Sequence, residues 1–575
     1  LKRRGPDVQG LKTIKLNDQQ SGVFYGCTLH FRGDLTQQPL TVQDGSALLW
    51  NGEIFYGLQV PADENDGSIL LNKLSLCSSD GEISIIFSQI KGPFAFVYWQ
   101  NCKKQLWFGR DIFGRRSLLS SASDGILSIA SLKTSIVSDS YWSEIPAHGI
   151  YRMDLIESVQ SLTLFPWCYE DSEATPPLDT CNLFHIETPE ALCGMPLTLG
   201  PHAISTSFSV LCAEVPSVTD TSQEDEVDLT SPDVLDQFVQ PEHEELIEEL
   251  ISVLGEAVRI RVECQAQVCH HCMPAFLKNK GLDCDHSRVA VLFSGGIDSL
   301  VIAALADRYV ATNEPIDLLN VAFQQKSNKS IQKSGKNAEP EEVIYHYNVP
   351  DRKTGLEGLQ QLEEIAPLRK WNFVEINIPV EELQETRSQR VCDLVYPLNT
   401  VLDDSIGCAI WFAARGKGVR TNSCGDFEPY ETTARVVLVG MGADEQLAGY
   451  SRHRVKFNTG GWPGLLQEIR MEIERISSRN LGRDDRIISD HSRESRFPFL
   501  DENVVKFLSQ IPIWLKANLT LPRGIGEKFL LRCSAHRIGL KSGALLPKRA
   551  IQFGSRIAKA ENRKEKASDV CQRLE

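Results

Sequence analysis

The stretch that most constrains the fold is Val289-Ala-Val-Leu-Phe293 followed by Ser294-Gly-Gly-Ile-Asp-Ser299. Five apolar residues read as a parallel strand buried on both faces. Ser294-Gly295-Gly296 then makes a tight turn. Asp298 to about Tyr309 reads as a helix, with Leu300, Ile302, Ala303, Leu305 and Ala306 as its apolar positions. A strand, a glycine turn and a helix N-terminus form an anion site, because free N–H groups and the positive end of the helix dipole converge there. Glycine is required where a Cβ would block close backbone approach. Asp298 is out of place beside a phosphate unless Mg²⁺ lies between them.

No Gly-x-x-x-x-Gly-Lys-Ser/Thr occurs in the chain, so this is not the commoner nucleotide loop. The Ser-Gly-Gly-x-Asp-Ser string resembles the pyrophosphate loop of ATP pyrophosphatases. Those enzymes split ATP between the α- and β-phosphates and activate a carboxylate or carbonyl for attack by a nucleophile. A chain of 575 residues, 42% hydrophobic, has room for roughly three or four units. A net charge of −16 argues against non-specific nucleic-acid binding. No apolar run is long enough to span a membrane, and no signal peptide is visible. Sixteen scattered cysteines point to reduced thiols and a cytoplasmic protein. The sequence is silent on oligomeric state.

Residues 1–155 read as β-rich, with alternating runs such as Phe94-Ala-Phe-Val-Tyr98 and helices near Ser68–Leu76 and Glu82–Gln89. Arg4-Gly-Pro-Asp7, Gln38-Pro39, Asn51-Gly-Glu-Ile54, Asp66, Gly92-Pro-Phe-Ala-Phe96 and Arg110-Asp-Ile-Phe-Gly-Arg115 occur in that order. Together they resemble the class II glutamine amidotransferase domain, an α+β N-terminal-nucleophile hydrolase fold of stacked sheets. The resemblance implies that Asn51 and Gly52 form the oxyanion hole, that Glu53 and Asp66 bind the glutamine α-amino group, and that Arg4 lines the same pocket. Its nucleophile is a cysteine at the processed N-terminus, with the terminal amine as base. The chain starts at Leu1, three residues before Arg4, so that cysteine is not in it. Cys27 is internal and cannot supply the amine. The natural N-terminus is expected to extend further. The family arginine that grips the glutamine carboxylate precedes the Gln-Pro pair. Arg32 is the nearest arginine, at a spacing that differs from the family's.

Residues 156–240 are polar and acidic, with Ser222-Gln-Glu-Asp-Glu-Val-Asp228, and read as a partly disordered linker that hides a small β segment near Leu197–Val215. Glu242–Val262 fits an amphipathic helix. Cys264, Cys269, Cys272, Cys284 and His286 crowd the stretch just before the glycine loop. Cys269-x-x-Cys272 with Cys284-x-His286 has the donors of a Cys₃His zinc site. With no second Cys-x-x-Cys pair, the sequence favours a surface insertion with reduced thiols. Gln324–Pro340 reads as a mobile loop, and Arg556–Arg573 as a solvated basic tail.

A second acidic glycine loop, Gly440-Met-Gly-Ala-Asp-Glu445, follows the apolar run Val436–Val439. Two such loops at adjacent strand ends would bring Asp298 and Asp444 to one Mg²⁺. With Asp403–Ile410, Asn480–Asp485, Glu494–Asp501 and Gly526–Arg532, this half resembles the synthetase domain of asparagine synthetases and of β-lactam synthetase, over roughly residues 241–560. The expected fold is an α/β parallel-sheet ATP pyrophosphatase domain, with 561–575 as the tail. The resemblance implies that Leu292, Ser294, Gly295, Gly296, Asp298, Ser299, Gly440 and Gly442 hold ATP, that Asp298 and Asp444 hold Mg²⁺, and that Lys528 meets the pyrophosphate or AMP phosphate. It also implies glutamine, aspartate and ATP as substrates. Asparagine synthetases carry Ser-Gly-Glu-Gly-x-Asp-Glu in the second loop. Its serine is Val439 here and its first glutamate, a candidate base for the ammonia step, is Met441. Glu445 is a separate family residue. Three functions stay open: glutamine-dependent amidation of aspartate, the same chemistry on another acid, and a non-catalytic nucleotide or protein binder.

Overall fold

The run Phe94–Gln100 is buried at all seven positions because each face of the strand meets its own apolar layer. The computed structural model describes every residue except 18–19, 135–140, 156–160, 170–175, 179–182, 184–185, 217–230, 232, 280–282, 327–344, 423, 562–564 and 575. In the first half, β1 (Val8–Lys15) and β2 (Ser21–Thr28) form a hairpin. Next come β3 (Leu40–Thr41), β4 (Ala47–Gly52), α1 (Asp66–Ser75), α2 (Asp80–Gln89), β5 (Phe94–Gln100) and β6 (Gln105–Arg110). Then follow β7 (Leu119–Ser123), β8 (Ile126–Ala130), β9 (Ser143–Glu144), β10 (Gly149–Asp154), β11 (Ser161–Cys168), β12 (Leu197–Leu199) and β13 (Ile204–Ser205). Among the described residues the main sheet runs β12-β11-β10-β6-β5-β4-β3, with β13 beside β11. Phe94, Phe96 and Tyr98 face α1 and α2, packing with Leu70, Leu74 and Phe87. Ala95, Val97 and Trp99 face the β1–β2 hairpin and the layer beneath β8, with Ile14 and Phe24. Each such aromatic, fully buried, contributes roughly 1.5–3 kcal/mol. A reciprocal Ser79–Glu82 capping box starts α2.

The sheet continues past residue 155. β11 pairs with β10, and β12 and β13 run parallel to β11, so part of the expected linker is strand. Pro166 lacks an N–H, and the ladder tolerates it: β12 pairs with Leu162–Leu164 and β13 with Trp167–Cys168, leaving Pro166 between them. The acidic run Ser222–Asp228 and most of the Gln324–Pro340 loop lie outside the described residues.

The second half begins with α3 (Pro241–Glu263), as the periodicity predicts. Its sheet contains β14 (Val289–Leu292), β15 (Ile316–Phe323), β16 (Trp371–Ile378), β17 (Lys417–Thr421), β18 (Phe427–Glu431), β19 (Val436–Leu438) and β20 (Glu494–Arg496). The order is β18-β17-β16-β15-β14-β19-β20, parallel from β16 to β20, with β17 and β18 antiparallel at one edge. The chain builds outward from β14 to β16, then returns to the other side of β14. The direction of winding therefore reverses between β14 and β19, and the crevice at their carboxyl ends is where such a sheet binds ligands. α4 (Ile297–Asp307), α5 (Pro350–Ile365) and α8 (Phe529–Arg537) supply apolar groups to one face with α3, while α6 (Val401–Arg415) and α7 (Leu481–Ser489) cover the other.

Buried ion pairs join the halves. Arg4 and Arg116 reach Asp485 at 2.8 and 3.3 Å, Arg116 reaches Glu494 at 2.8 Å, and Arg115 pairs with Glu502. In the opposite sense Asp7 meets Arg435, and Glu144 meets Arg486. Nor is the C-terminus a free solvated tail: Cys571 is buried, Val570 bridges Thr400, and Arg573 lies 3.4 Å from Asp404 on α6. Among the described residues no helix is long and apolar enough to cross a membrane.

Candidate active site

The glycine turn after β14 leads into α4 with Gly296 as its N-cap. Gly295 has φ +75° and lies against α5, where a Cβ would overlap the Thr354 carbonyl. Ser294 Oγ accepts from the Gly296 N–H at 3.3 Å, and Ser299 Oγ donates to the Gly296 carbonyl at 3.0 Å. Leu292, at the strand end, is half-buried against the apolar layer on the α6 side. The loop after β19 presses on this turn: a Cβ on Gly440 would lie 2.8 Å from Asp298 Cβ. Gly442 caps the short helix that carries Asp444. All the expected ATP-loop residues thus belong to two neighbouring strand ends.

Between the loops sits Lys528, 1% exposed at its side chain. Its ammonium donates to Asp298 Oδ1 and Oδ2 at 2.6 and 2.7 Å and lies 2.7 Å from Asp444 Oδ1. Lys548 pairs with the other oxygen, Asp444 Oδ2. Burial alone would raise the Asp444 pKa, but Lys528 and Lys548 outweigh it and hold the carboxyl well below the usual range. Conversely, Asp444 and Asp298 outweigh the burial of Lys548 and raise its pKa. Because one ammonium bridges both carboxylates, the space between them suits a small cation such as Mg²⁺.

The second cluster of charged side chains forms where β4 ends. Arg32 Nη2 lies 3.4 Å from Glu53 Oε2 and 3.5 Å from Asp66 Oδ2, and donates to the Ile54 carbonyl at 2.8 Å. Asp66 Oδ2 also accepts from Trp50 Nε1 at 3.2 Å and from the Ile54 N–H at 3.1 Å. Glu53 has less support. Its Oε2, together with Asn51 Nδ2 and Arg32 Nε, is buried without a hydrogen-bond partner among the described residues. Burial and the charge of Asp66, against the pull of Arg32, push Glu53 up to about 8. Gly52 lies at the end of the strand beside Asn51. Phe55, a few residues onward, stacks under Arg261 and Arg496 of the second half, at 4.7 and 5.5 Å. The Arg4 guanidinium is engaged by Asp485 in the seam between the halves.

The asparagine synthase family model matches residues 285–352 and 456–553. Human asparagine synthetase domain-containing protein 1 is 46% identical, over all of this chain and 94% of that protein. The chain belongs to the asparagine synthetase family. An asparagine synthetase domain-containing protein of Drosophila melanogaster is 33% identical over the whole chain and 95% of its own length. A chicken asparagine synthetase [glutamine-hydrolyzing] is 25% identical over 47% of this chain and 40% of that protein.

Within this asparagine synthetase-family chain, the second loop falls between the two matched segments. Met441 is half-buried against the apolar layer on the α6 side and offers no proton acceptor. Glu445 is buried and accepts from the Tyr450 hydroxyl at 2.6 Å, while burial and Asp444 raise its pKa. Sequence reasoning assigned no role to Lys548, which stands in Pro547-Lys-Arg549 directly after an apolar run, and left Arg32 unassigned. Of the five zinc candidates, Cys269, Cys272, Cys284 and His286 bring one donor atom each to within 4.8 Å of one another. Cys264 is outside that group. It ends α3, and its carbonyl accepts from Arg496 Nη1 at 2.7 Å.

Proposed function

We propose that the chain is an ATP-dependent amidotransferase that converts aspartate to asparagine with ammonia from glutamine, releasing glutamate, AMP and pyrophosphate. The observation that carries this reading is the convergence of Asp298 and Asp444 on Lys528 at the reversal point of the parallel sheet. Asp298 and Asp444 would hold Mg²⁺, which screens phosphate charge when bound. Ser294, Gly295, Gly296 and Ser299 present the turn and helix end to the phosphates. Lys528 and Lys548, once released from the carboxylates, stabilise the departing pyrophosphate. In the first half, Glu53 and Asp66 orient the α-ammonium of glutamine, Arg32 faces its carboxylate, and Asn51 with Gly52 donates to the amide oxygen as charge develops on it. Phe55, beside the cluster, packs under Arg496 of β20, whose neighbour β19 leads into the Gly440 loop; ammonia would have to cross between these elements.

The test is ATP–pyrophosphate exchange with ammonium in place of glutamine and aspartate added or withheld. Aspartate-dependent exchange followed by asparagine release supports the proposal. Met441 favours a second reading, in which the same adenylation serves another acid or the site binds nucleotide without amide transfer. Folded protein that binds ATP but shows no aspartate-dependent exchange would leave only that second reading.

A further inference from the structure

Residues 264–279 and 283–286 belong to a small appendage ahead of β14. Its own apolar cluster is Ala266, Val268, Met273 and Phe276, with Cys272, Leu277 and Cys284 packed at its margin. A core this small contributes little stability by itself, and small loop-rich units often add a disulfide or a metal. All fifteen cysteines among the described residues are free thiols.

The four donors are arranged as a ligand set. His286 Nδ1 lies 3.5 Å from Cys272 Sγ and 3.7 Å from Cys284 Sγ. A tetrahedral zinc with Zn–S of about 2.3 Å and Zn–N of about 2.0–2.1 Å has S···N edges of about 3.6 Å. Two sulfurs also accept backbone N–H bonds: Cys269 Sγ from Cys272 N at 3.4 Å, and Cys284 Sγ from Cys269 N at 3.5 Å. Such bonds orient thiolates and stabilise their negative charge. Three cysteines and one histidine fill all four positions, which is the closed arrangement of a structural site.

We infer that Cys269, Cys272, Cys284 and His286 bind one structural zinc ion that braces the base of the nucleotide-binding sheet. The appendage is fastened at the strand ends opposite the active site. His270 N donates to the Thr433 carbonyl at 2.8 Å, just before β19. Arg288, at the start of β14, donates to the Ala266 and Gln267 carbonyls at 3.2 Å each. The metal therefore sets the entry of the two strands whose far ends carry the Asp298 and Asp444 loops. Binding takes up Zn²⁺ and releases the thiol protons, with no change of oxidation state.

The full chain, expressed with zinc supplementation and desalted, is expected to retain about one zinc per chain by elemental analysis. Cobalt added to metal-stripped protein should give the visible bands of a tetrahedral site and thiolate-to-metal charge transfer in the near ultraviolet. Cys272→Ser and His286→Ala should each lower the zinc content at least about tenfold, whereas Cys264→Ser should keep it. Metal-stripped wild type should melt earlier and recover on zinc addition, which separates metal loss from a misfolded variant. Wild-type protein with less than about 0.1 zinc and no cobalt–thiolate bands, or loss of zinc in Cys264→Ser, would overturn the assignment.

Discussion

Each half of the molecule sets two acidic side chains against a cation, but the charge balance differs. Glu53 and Asp66 both lie within 3.5 Å of the Arg32 guanidinium, yet burial and the charge of Asp66 outweigh it and Glu53 holds its proton up to about pH 8. Around Asp298 and Asp444 there are two ammonium groups, and Asp444 stays ionised far into acid. The Glu53–Asp66 cluster leaves a carboxyl uncompensated, so it suits a ligand that brings an ammonium group. The Asp298–Asp444 cluster has its own cations already in place, so it suits a metal that takes over the carboxylates and a polyanion that takes over the lysines. The two acidic pairs thus differ in the cations they already hold: the Arg32 guanidinium in one, the ammonium groups of Lys528 and Lys548 in the other.

The comparison breaks most readily at Asp444. Asp444→Asn or Asp298→Asn is expected to lower ATP–pyrophosphate exchange by about 10²- to 10³-fold; near-normal exchange would mean the carboxylates do not serve the nucleotide. Lys528→Met should cost about 10²-fold in the same assay. It should also leave two carboxylates facing each other, so that Mg²⁺ raises the melting temperature of the variant more than that of the parent. Equal Mg²⁺ responses would separate the lysine from the metal position. In the first half, Arg32→Met removes the nitrogen, Nη2, that meets Glu53, Asp66 and the Ile54 carbonyl. Titration calorimetry with a non-hydrolysed glutamine analogue should read about tenfold weaker binding, or about 1.4 kcal/mol.

The smallest effect is in pH dependence. The raised Glu53 means that the folded chain holds a proton there that the unfolded chain releases near 4.5. That contribution to stability is lost as pH climbs from about 4.5 to about 8. Glu53→Gln should flatten the decline by on the order of 1–3 kcal/mol in denaturant melts at pH 6 and pH 9. Binding of an α-ammonium ligand to the parent below pH 8 should likewise release a proton, visible as a buffer-dependent heat. A parent and variant with the same pH profile would mean that Glu53 is already ionised at pH 6, without the raised pKa that burial and Asp66 give it.

Local patterns in the sequence carried much of this architecture. The apolar run Val289–Phe293, the glycine turn and the apolar positions of α4 each announce their conformation over a few residues, and α1, α2 and α3 fall close to where periodicity puts them. What pattern cannot show is pairing across long separations. Lys548 meets an aspartate 104 residues away, and Arg32 closes on Asp66 across two strands. β11 was hidden for a different reason: Pro166 and polar flanks disguise a strand whose missing donor falls between two short partners. Arg4 belongs to a motif that suggested the glutamine pocket, yet its charge is spent on Asp485.

The ion pairs that join the halves carry a consequence for handling the protein in pieces. Arg4, Arg115 and Arg116 belong to one half, and their partners Asp485, Glu494 and Glu502 to the other. Cutting the chain between residues 206 and 240 would leave each fragment with a row of unpartnered charges on a surface shaped to be dry. Removing one partner of a single buried pair costs about 3–5 kcal/mol. Neither fragment is then a faithful stand-in for its half, and the two halves are best regarded as one indivisible folding unit, inherited and lost together.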